Sequence, residues 1–496
     1  MRVVFAASEC VPFVKTGGLA DVVGALPREL VRLGHQVSVF LPLYAQVRSH
    51  LNAEPAYAVR SLTIPFRYYN RFAGIVDAGL REGVRHYFVD CPELFHRPQL
   101  YGPPGGGYPD NAERFGLFCR AVLEASKLLG VPEVFHLHDW QAALIPVYLR
   151  TVYAADPALS RAATVLTIHN AAYQGAFPPK ATEELLFPWD VFTMDKVEQF
   201  NNFNFLKGGI VFSDMITTVS RKYAQEIQTP EFGELLDGTL RGRAADLRGI
   251  LNGVDYAQWD PATDHYLAAR YGSQNLDGKQ TCRADLLRAF GLDHVPGTTP
   301  VIGIVSRFAR QKGFDMVAQV APQISSRDLA VVALGTGEPA WERFFRSWAK
   351  TSPGNVAVQV RYDNALAHKI EAGADLFLMP SRYEPCGLNQ IYSLKYGTVP
   401  IVRATGGLDD TIEEWDATTG TGTGFKFEGY DPKDLLAEID RSLEAFADRE
   451  KWLRLMRNGM AQDYSWQRPA QEYAAVYAEA ANKHNAPQEQ GEKPVT

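Results

Sequence analysis

The sequence predicts an α/β protein of two Rossmann-like domains, each a doubly wound parallel sheet, facing each other across a cleft. Three observations carry that expectation. Short apolar, β-branched runs alternate with longer amphipathic stretches along the whole chain, the pattern of a parallel sheet covered on both faces. The alternation occurs twice. And 496 residues exceed what one hydrophobic core usually organises.

Taken in order, "VVFAAS" reads as a first strand starting at Arg2 or Val3, and "GGLADVVGALPRELVRLGH" as the helix after it. Leu19, Val22, Val23, Leu26, Leu30 and Leu33 fall on one face of that helix. Gly34 ends it and "QVSVFLPLY" returns as a strand, completing a βαβ unit. "VFHLHD", "ATVLTIHN" and "MITTVS" read as further buried strands. The second half repeats the style with "PVIGIVSRF", "LAVVALGTG", "VAVQVRY", "ADLFLMPS" and "VPIVRATGG", between helical stretches such as "GFDMVAQVAPQI" and "LAHKIEAG". "ILNGVDYAQWDP", at Ile250–Pro261, carries the turn signals of a boundary. The expected domains are residues 1–253 and 260–468, with an amphipathic helix at 469–485 and a disordered tail at 486–496.

Composition narrows the class. A net charge of −7 argues against nucleic acid as the main partner, and an anionic ligand would need a local basic cluster. Five scattered cysteines, none in a Cys-x-x-Cys pair, suggest a reducing cytoplasm without a disulfide framework or a structural zinc site. The start "MRVVFAASECVPFV" has the outline of a signal peptide, but Glu9 interrupts it, and no apolar run reaches the ~20 residues of a membrane helix. The expectation is a cytoplasmic protein with no membrane partner.

Ligands of open α/β sheets bind beyond the carboxyl ends of the strands, so the residues there are the candidates. "KTGGLADV" follows the first strand, and its Thr16–Asp21 is echoed by "TGGLDD" at Thr405–Asp410 after another strand. Glycine pairs let backbone approach a ligand and expose helix N–H groups to an anion; a plain tight turn is the alternative. Arg307 and Lys312, in "SRFARQKG", would suit a diphosphate, or form an ordinary solvated loop. Glu384, in "SRYEPCGLNQIY", would hold sugar hydroxyls, or serve a helix dipole. Cys386 reads as a small buried residue rather than a nucleophile. "HLHDW" (His136, His138, Asp139) and "TIHN" (His169, Asn170) end two strands. The two histidines of "HLHDW" are expected to face apart and to make no metal site with a third ligand, so core or cleft polar residues are the reading. No Asp-x-Asp pair, Walker loop or GxSxG elbow occurs, which removes the carriers of several other chemistries.

These motifs, together with "ILNGVD", resemble in order and spacing those of bacterial glycogen synthases and plant starch synthases, from residue 2 to about residue 480. The resemblance implies the two-domain glycosyltransferase fold called GT-B, with the last helix crossing back to the first domain. It implies transfer of glucose from a nucleotide-glucose, ADP-glucose in the bacterial branch, to the non-reducing 4-OH of an α-1,4-glucan with retention. It further implies that Lys15 and Gly18 contact the donor from the first domain and that Arg307 and Lys312 neutralise the leaving diphosphate. Glu384 matches the essential acid, His169 would touch the glucose, and Asp139 and Asn252 would surround glucose and acceptor. Gly406, Gly407 and Leu408 would lie along the phosphates with Thr411 close by, Tyr362 would stack on the base, and Gly335 and Gly337 would flank the nucleoside. Tyr392 stands where many relatives with this fold carry a second Glu, as is usual for glycogen and starch synthases. No resident cofactor or metal is implied. A UDP-glucose transferase and a pyridoxal phosphate-dependent glucan phosphorylase are the alternatives; the residues alone do not choose the donor base.

Overall fold

The structure, a computed structural model, describes residues 1–49, 51, 56–103 and 105–486. The tail expected at 486–496 lies outside them apart from residue 486. The described chain divides into two compact units: residues 1–219, 224–250 and 466 onward form the first, and residues 220–223 and 251–465 the second.

The first unit is built on a nine-stranded sheet. Its strands are β1 (Arg2–Ala6), β2 (Gln36–Pro42), β3 (Tyr57–Pro65), β4 (Asn70–Arg81), β5 (Val84–Asp90), β6 (Val134–His138), β7 (Ala163–Ile168), β11 (Met215–Thr218) and β12 (Leu247–Gly249), in the order β12-β11-β7-β6-β1-β2-β5-β4-β3. Short strands β8 (Ala176–Phe177), β9 (Glu198–Gln199) and β10 (Asn202–Asn204) make a separate small sheet. From β12 to β5 all pairings are parallel, whereas β4 and β3 run antiparallel at the edge. β6 and β7 are buried at every position, which is why they read as unbroken apolar runs rather than alternating ones.

The helix Gly18–Arg32 buries Leu19, Val22, Val23, Leu26 and Leu30, the expected stripe. Leu33 is 44% exposed, because the helix stops at Arg32 and Gly34 turns the chain with φ of +88°. The last helix, Gln467–Asn485, belongs to this unit and buries Tyr473, Val476, Tyr477 and Ala480. The Tyr477 hydroxyl meets His136 Nδ1 at 2.8 Å, in the middle of β6. At its far end, His484 reaches Asp214 at 3.4 Å and the Ser160 carbonyl at 2.8 Å.

The second unit is a six-stranded, wholly parallel sheet of β13 (Val301–Phe308), β14 (Ala330–Gly337), β15 (Val356–Val360), β16 (Leu376–Met379), β17 (Val399–Arg403) and β18 (Phe425–Phe427), in the order β15-β14-β13-β16-β17-β18. Two core clusters divide its strands by alternation. Ile302, Ile304, Val331 and Ala333 lie in one, Val301, Ala330, Val332 and Leu334 in the other. Successive side chains leave opposite faces of a strand, so both faces of this sheet are covered.

Strand order also locates the chemistry. In the first sheet the chain runs from β1 outward to β2, then returns to place β6 on the other side of β1; in the second, β13 has β14 on one side and β16 on the other. Where successive connections leave in opposite directions, the strand ends open a crevice. The segments after β1 and β6, and those after β13 and β16, are therefore the places to examine.

Candidate active site

In the first unit, the loop after β1 carries Glu9, Lys15 and the first glycine pair. Glu9 is only 4% exposed. Its Oε1 accepts from the Thr16 hydroxyl at 2.6 Å and the Tyr101 hydroxyl at 2.5 Å, while Oε2 accepts the Thr16 N–H and, at 3.2 Å, the Gly17 N–H. A buried carboxylate is tolerable only when it is bonded in this way, and here the bonds fix the loop that leads into Gly18, first residue of the helix. Lys15 Nζ pairs with Asp21 at 2.7 Å and remains half-exposed.

Asp139 follows β6 directly, as the first residue of a short helix (Asp139–Ala142), and adopts φ of +55°, a left-handed conformation rare for a residue with a side chain. Its Oδ1 accepts the His169 N–H at 2.7 Å, tying the end of β6 to the end of β7. Burial pushes the Asp139 carboxyl up to about 7, against the downward pull of the His169 and Asn170 N–H groups. Burial also drives the His169 imidazole down to about 3, so it is neutral at physiological pH. His138 Nδ1 lies 2.9 Å from His169 Nε2. His136 and His138 stand on the same face of β6, ring centroids 4.2 Å apart, because strand side chains repeat every two residues; the expectation that they face apart is corrected.

In the second unit, Arg307 is the last residue but one of β13; its side chain is exposed and makes no hydrogen bond or ion pair among the described residues. Lys312 follows in a single 3₁₀ turn closed by Gly313, whose φ is +73°. Its Nζ meets Glu384 Oε2 at 2.6 Å, and the Ser381 hydroxyl donates to the same oxygen at 3.0 Å. The carboxylate side chain is 7% exposed and the ammonium side chain 17%. The pair thus stands where the loops after β13 and β16 meet. Cys386, two residues on, is buried, and burial raises its thiol to about 12 despite the hydrogen bonds of Asn252. It is inert packing, as the sequence suggests. Asn252 itself is 4% exposed, with an Oδ1 that finds no partner among the described residues.

The second glycine pair differs from the first. Gly406 has φ of +46°, and a Cβ there would stand 1.9 Å from the Glu384 carbonyl oxygen; one on Gly407 would stand 2.0 Å from the Cys386 carbonyl oxygen. The Gly407 N–H is donated to the Glu384 carbonyl at 3.0 Å. This pair therefore packs against the backbone of Glu384 and fixes its carboxylate. Leu408 is fully buried, its N–H bonded to Thr405, and the Thr411 hydroxyl is spent on the Gly407 carbonyl at 2.6 Å. Gly335 and Gly337 likewise have a packing reason: Cβ atoms there would stand 2.0 Å from the Ser306 and 2.4 Å from the Phe308 carbonyl oxygens of β13. Tyr362, after β15, is 80% exposed. Tyr392 is buried and stacks on Trp259 at 3.9 Å, with His368 on the indole's other side at 3.7 Å.

The structure thus groups Lys15, Gly18, Asp139 and His169 at strand ends of the first unit. In the second it joins Lys312, Glu384, Gly406 and Gly407 by direct contacts. Sequence reasoning missed Glu9, Tyr101 and Ser381. A single carboxylate inside an apolar run, seven residues before a Thr-Gly-Gly turn, was the available signal for Glu9.

Comparison with known proteins identifies the family. Residues 2–242 match the starch synthase catalytic domain family, and residues 293–458 match glycosyl transferases group 1. The chain is 58% identical over 480 residues to a glycogen synthase of Koribacter versatilis, covering 97% of this chain and 98% of that one. It is 48% identical to a glycogen synthase of Anaeromyxobacter sp., covering 97% and 100%. The solved catalytic domain of starch synthase IV from Arabidopsis thaliana, bound to ADP and acarbose, superposes with a TM-score of 0.86 at 33% identity, covering 97% of this chain and 99% of that one. Near-complete coverage in both directions, with strand-end motifs distributed over both units, means that the chain belongs to the glycogen synthase and starch synthase family of two-domain glycosyltransferases.

Proposed function

We propose that the protein elongates glycogen, transferring glucose from ADP-glucose to the non-reducing 4-OH of an α-1,4-glucan with retention of configuration. The observation that carries the proposal is the cation arrangement at the end of β13. Arg307 is exposed, with no anionic partner among the described residues, and Lys312, five positions on, is held by Glu384. A guanidinium and an ammonium there match the charge that develops on a departing diphosphate, and such preorganised charge is usually the largest catalytic contribution.

In this reading the bond from the anomeric carbon to the diphosphate oxygen breaks, and its electron pair leaves on that oxygen. Arg307 and Lys312 receive the growing charge. Glu384, released in part from Lys312, takes up donor hydroxyls, and His169 and Asp139 hold the glucose and the approaching acceptor. The acceptor 4-oxygen bonds the anomeric carbon on the face just vacated, and its proton passes to the leaving phosphate. The neutralising charge comes from side chains, so the reaction calls on no resident metal. A covalent route would need a second carboxylate poised as nucleophile, as in retaining glycosidases, and this reading gives no carboxylate that role. Tyr362 would stack on the base, and its exposure leaves a ring face free for that.

ADP as the donor nucleotide is supported by the ADP bound to the similar starch synthase IV structure. A cytoplasmic setting accords with five buried, unpaired cysteines, and no helix among the described residues is long and apolar enough to cross a membrane. The test compares ADP-glucose with UDP-glucose as donors on a glycogen primer, following glucan extension and nucleoside diphosphate release. Preferred use of ADP-glucose is expected. Absence of transfer from both would overturn the proposal.

A further inference from the structure

We propose that His138 is a positioning residue that sets the tautomer of His169, so that His169 presents Nδ1–H as a hydrogen-bond donor to the sugar. The inference rests on the functional reading above only for the identity of what receives that bond.

His138 Nδ1 and His169 Nε2 stand 2.9 Å apart. Burial holds both rings neutral, so a single proton lies between these two nitrogens. Two arrangements are possible. If His169 donates from Nε2, then His138 carries its own proton on Nε2. That atom is sealed from solvent and has no partner among the described residues. If His138 donates from Nδ1, its Nε2 is only a bare lone pair, and His169 must carry its remaining proton on Nδ1. A buried N–H without an acceptor is rarer and costlier than an unused acceptor, so the hydrogen-bond network selects the second arrangement. His169 is half-buried, and its Nδ1 makes no hydrogen bond among the described residues, which leaves that N–H for a ligand.

The neighbours hold His138 to this task. Phe5 stacks against its ring at 5.2 Å, and His136 packs at 4.2 Å. His136 cannot relieve it, since its nitrogens are committed to the Tyr477 hydroxyl at 2.8 Å and the Thr167 hydroxyl at 2.6 Å.

The test uses the full chain labelled with 15N-histidine, with long-range proton–nitrogen correlation reporting which ring nitrogen is protonated. His169 is assigned by its loss in His169→Gln. The ligand-free wild type is expected to show His169 protonated on Nδ1. His138→Phe keeps the ring packing but removes the donor, and should move His169 toward the Nε2–H form. His138→Asn places an amide donor near the lost Nδ1, and should keep the Nδ1–H form. In glucose transfer, kcat/KM should fall by about tenfold or more in His138→Phe and recover in His138→Asn to within roughly threefold of wild type. Wild-type His169 protonated on Nε2, or Phe and Asn variants with equal kcat/KM, would overturn the proposal. Should His138→Phe fail to fold, the wild-type spectrum and His138→Asn still decide. The spectrum needs no turnover, so a protein inactive with every nucleotide-glucose would refute the proposed function without touching the tautomer result.

Discussion

Gly406→Ala should injure the loop of the second unit that carries Glu384, although it adds a single methyl group. The new Cβ would stand 1.9 Å from the Glu384 carbonyl oxygen. An ordinary carbon–oxygen contact is about 3.3 Å, so the two backbones must part by roughly 1.4 Å. That motion breaks the 3.0 Å bond from Gly407 N–H to the same carbonyl. The φ of +46° adds a left-handed backbone penalty of about 1–2 kcal/mol for alanine, and overpacking typically costs about 1–3 kcal/mol. At roughly 2–4 °C per kcal/mol for a domain of this size, the melting temperature should drop by on the order of 10 °C. Because a displacement of about 1 Å at a catalytic group costs around a hundredfold in rate, kcat should fall by that order even well below the melting temperature. Gly17→Ala in the first glycine pair is the control: Gly17 has φ of −153° and nothing within 4 Å of the added Cβ. It should melt with the wild type, and any loss of transfer would then report close ligand approach at that turn. Calorimetry and glucose transfer to glycogen measure both variants. A Gly406→Ala protein with wild-type melting and wild-type kcat would refute the packing argument.

Glu384→Gln should lower kcat by about a hundredfold or more while ADP affinity holds or rises, since Lys312 loses its internal counter-ion; titration calorimetry with ADP checks this, and weakened ADP binding with normal kcat would contradict it. The Asp139 carboxyl sits near 7 in the folded protein against an ordinary 3.8, raised by burial. Its contribution to stability is therefore complete below 3.8 and lost as pH rises through 7. Asp139→Asn should gain in melting temperature over wild type across that window and level off above it; a constant difference across pH would count against the assignment. His484 is raised above its ordinary 6.5, first by its bond to Asp214 and then by the Ser160 carbonyl. That stabilisation is complete below 6.5 and disappears as pH climbs past the folded value, so His484→Ala should destabilise more at pH 6 than at pH 9. Equal losses at both pH values would refute it.

The fold class was legible because buried parallel strands announce themselves as short apolar runs, and the βαβ start could be read residue by residue. The antiparallel strands β3 and β4 were not, because edge strands with exposed faces lack that signature: Tyr68, Tyr69 and Phe72, in and around their hairpin, are exposed. Candidate site residues at strand ends were legible as types, since chemistry-bearing residues stood where the sheet leaves crevices. What sequence could not give was the partner of each. Nothing in the spacing of Glu384 and Lys312 reveals that they touch, nor that Glu9 grips the glycine loop from below. The two Thr-Gly-Gly turns look alike as strings, yet one faces open space and the other is wedged against backbone. Identical letters met different neighbours.

The return of the last helix to the first sheet has a consequence for biosynthesis. A ribosome delivers β1 through β12 long before Tyr473 and Tyr477, and the whole second unit is made in between. Until residue 485 has left the exit tunnel, the face of the first sheet that this helix covers stays bare and His136 lacks the tyrosine hydroxyl it will meet. The second unit, whose segments are all present by residue 465, can finish maturing first. The unit translated earliest is thus the one completed latest, and a prematurely stopped chain would leave its oldest part unfinished.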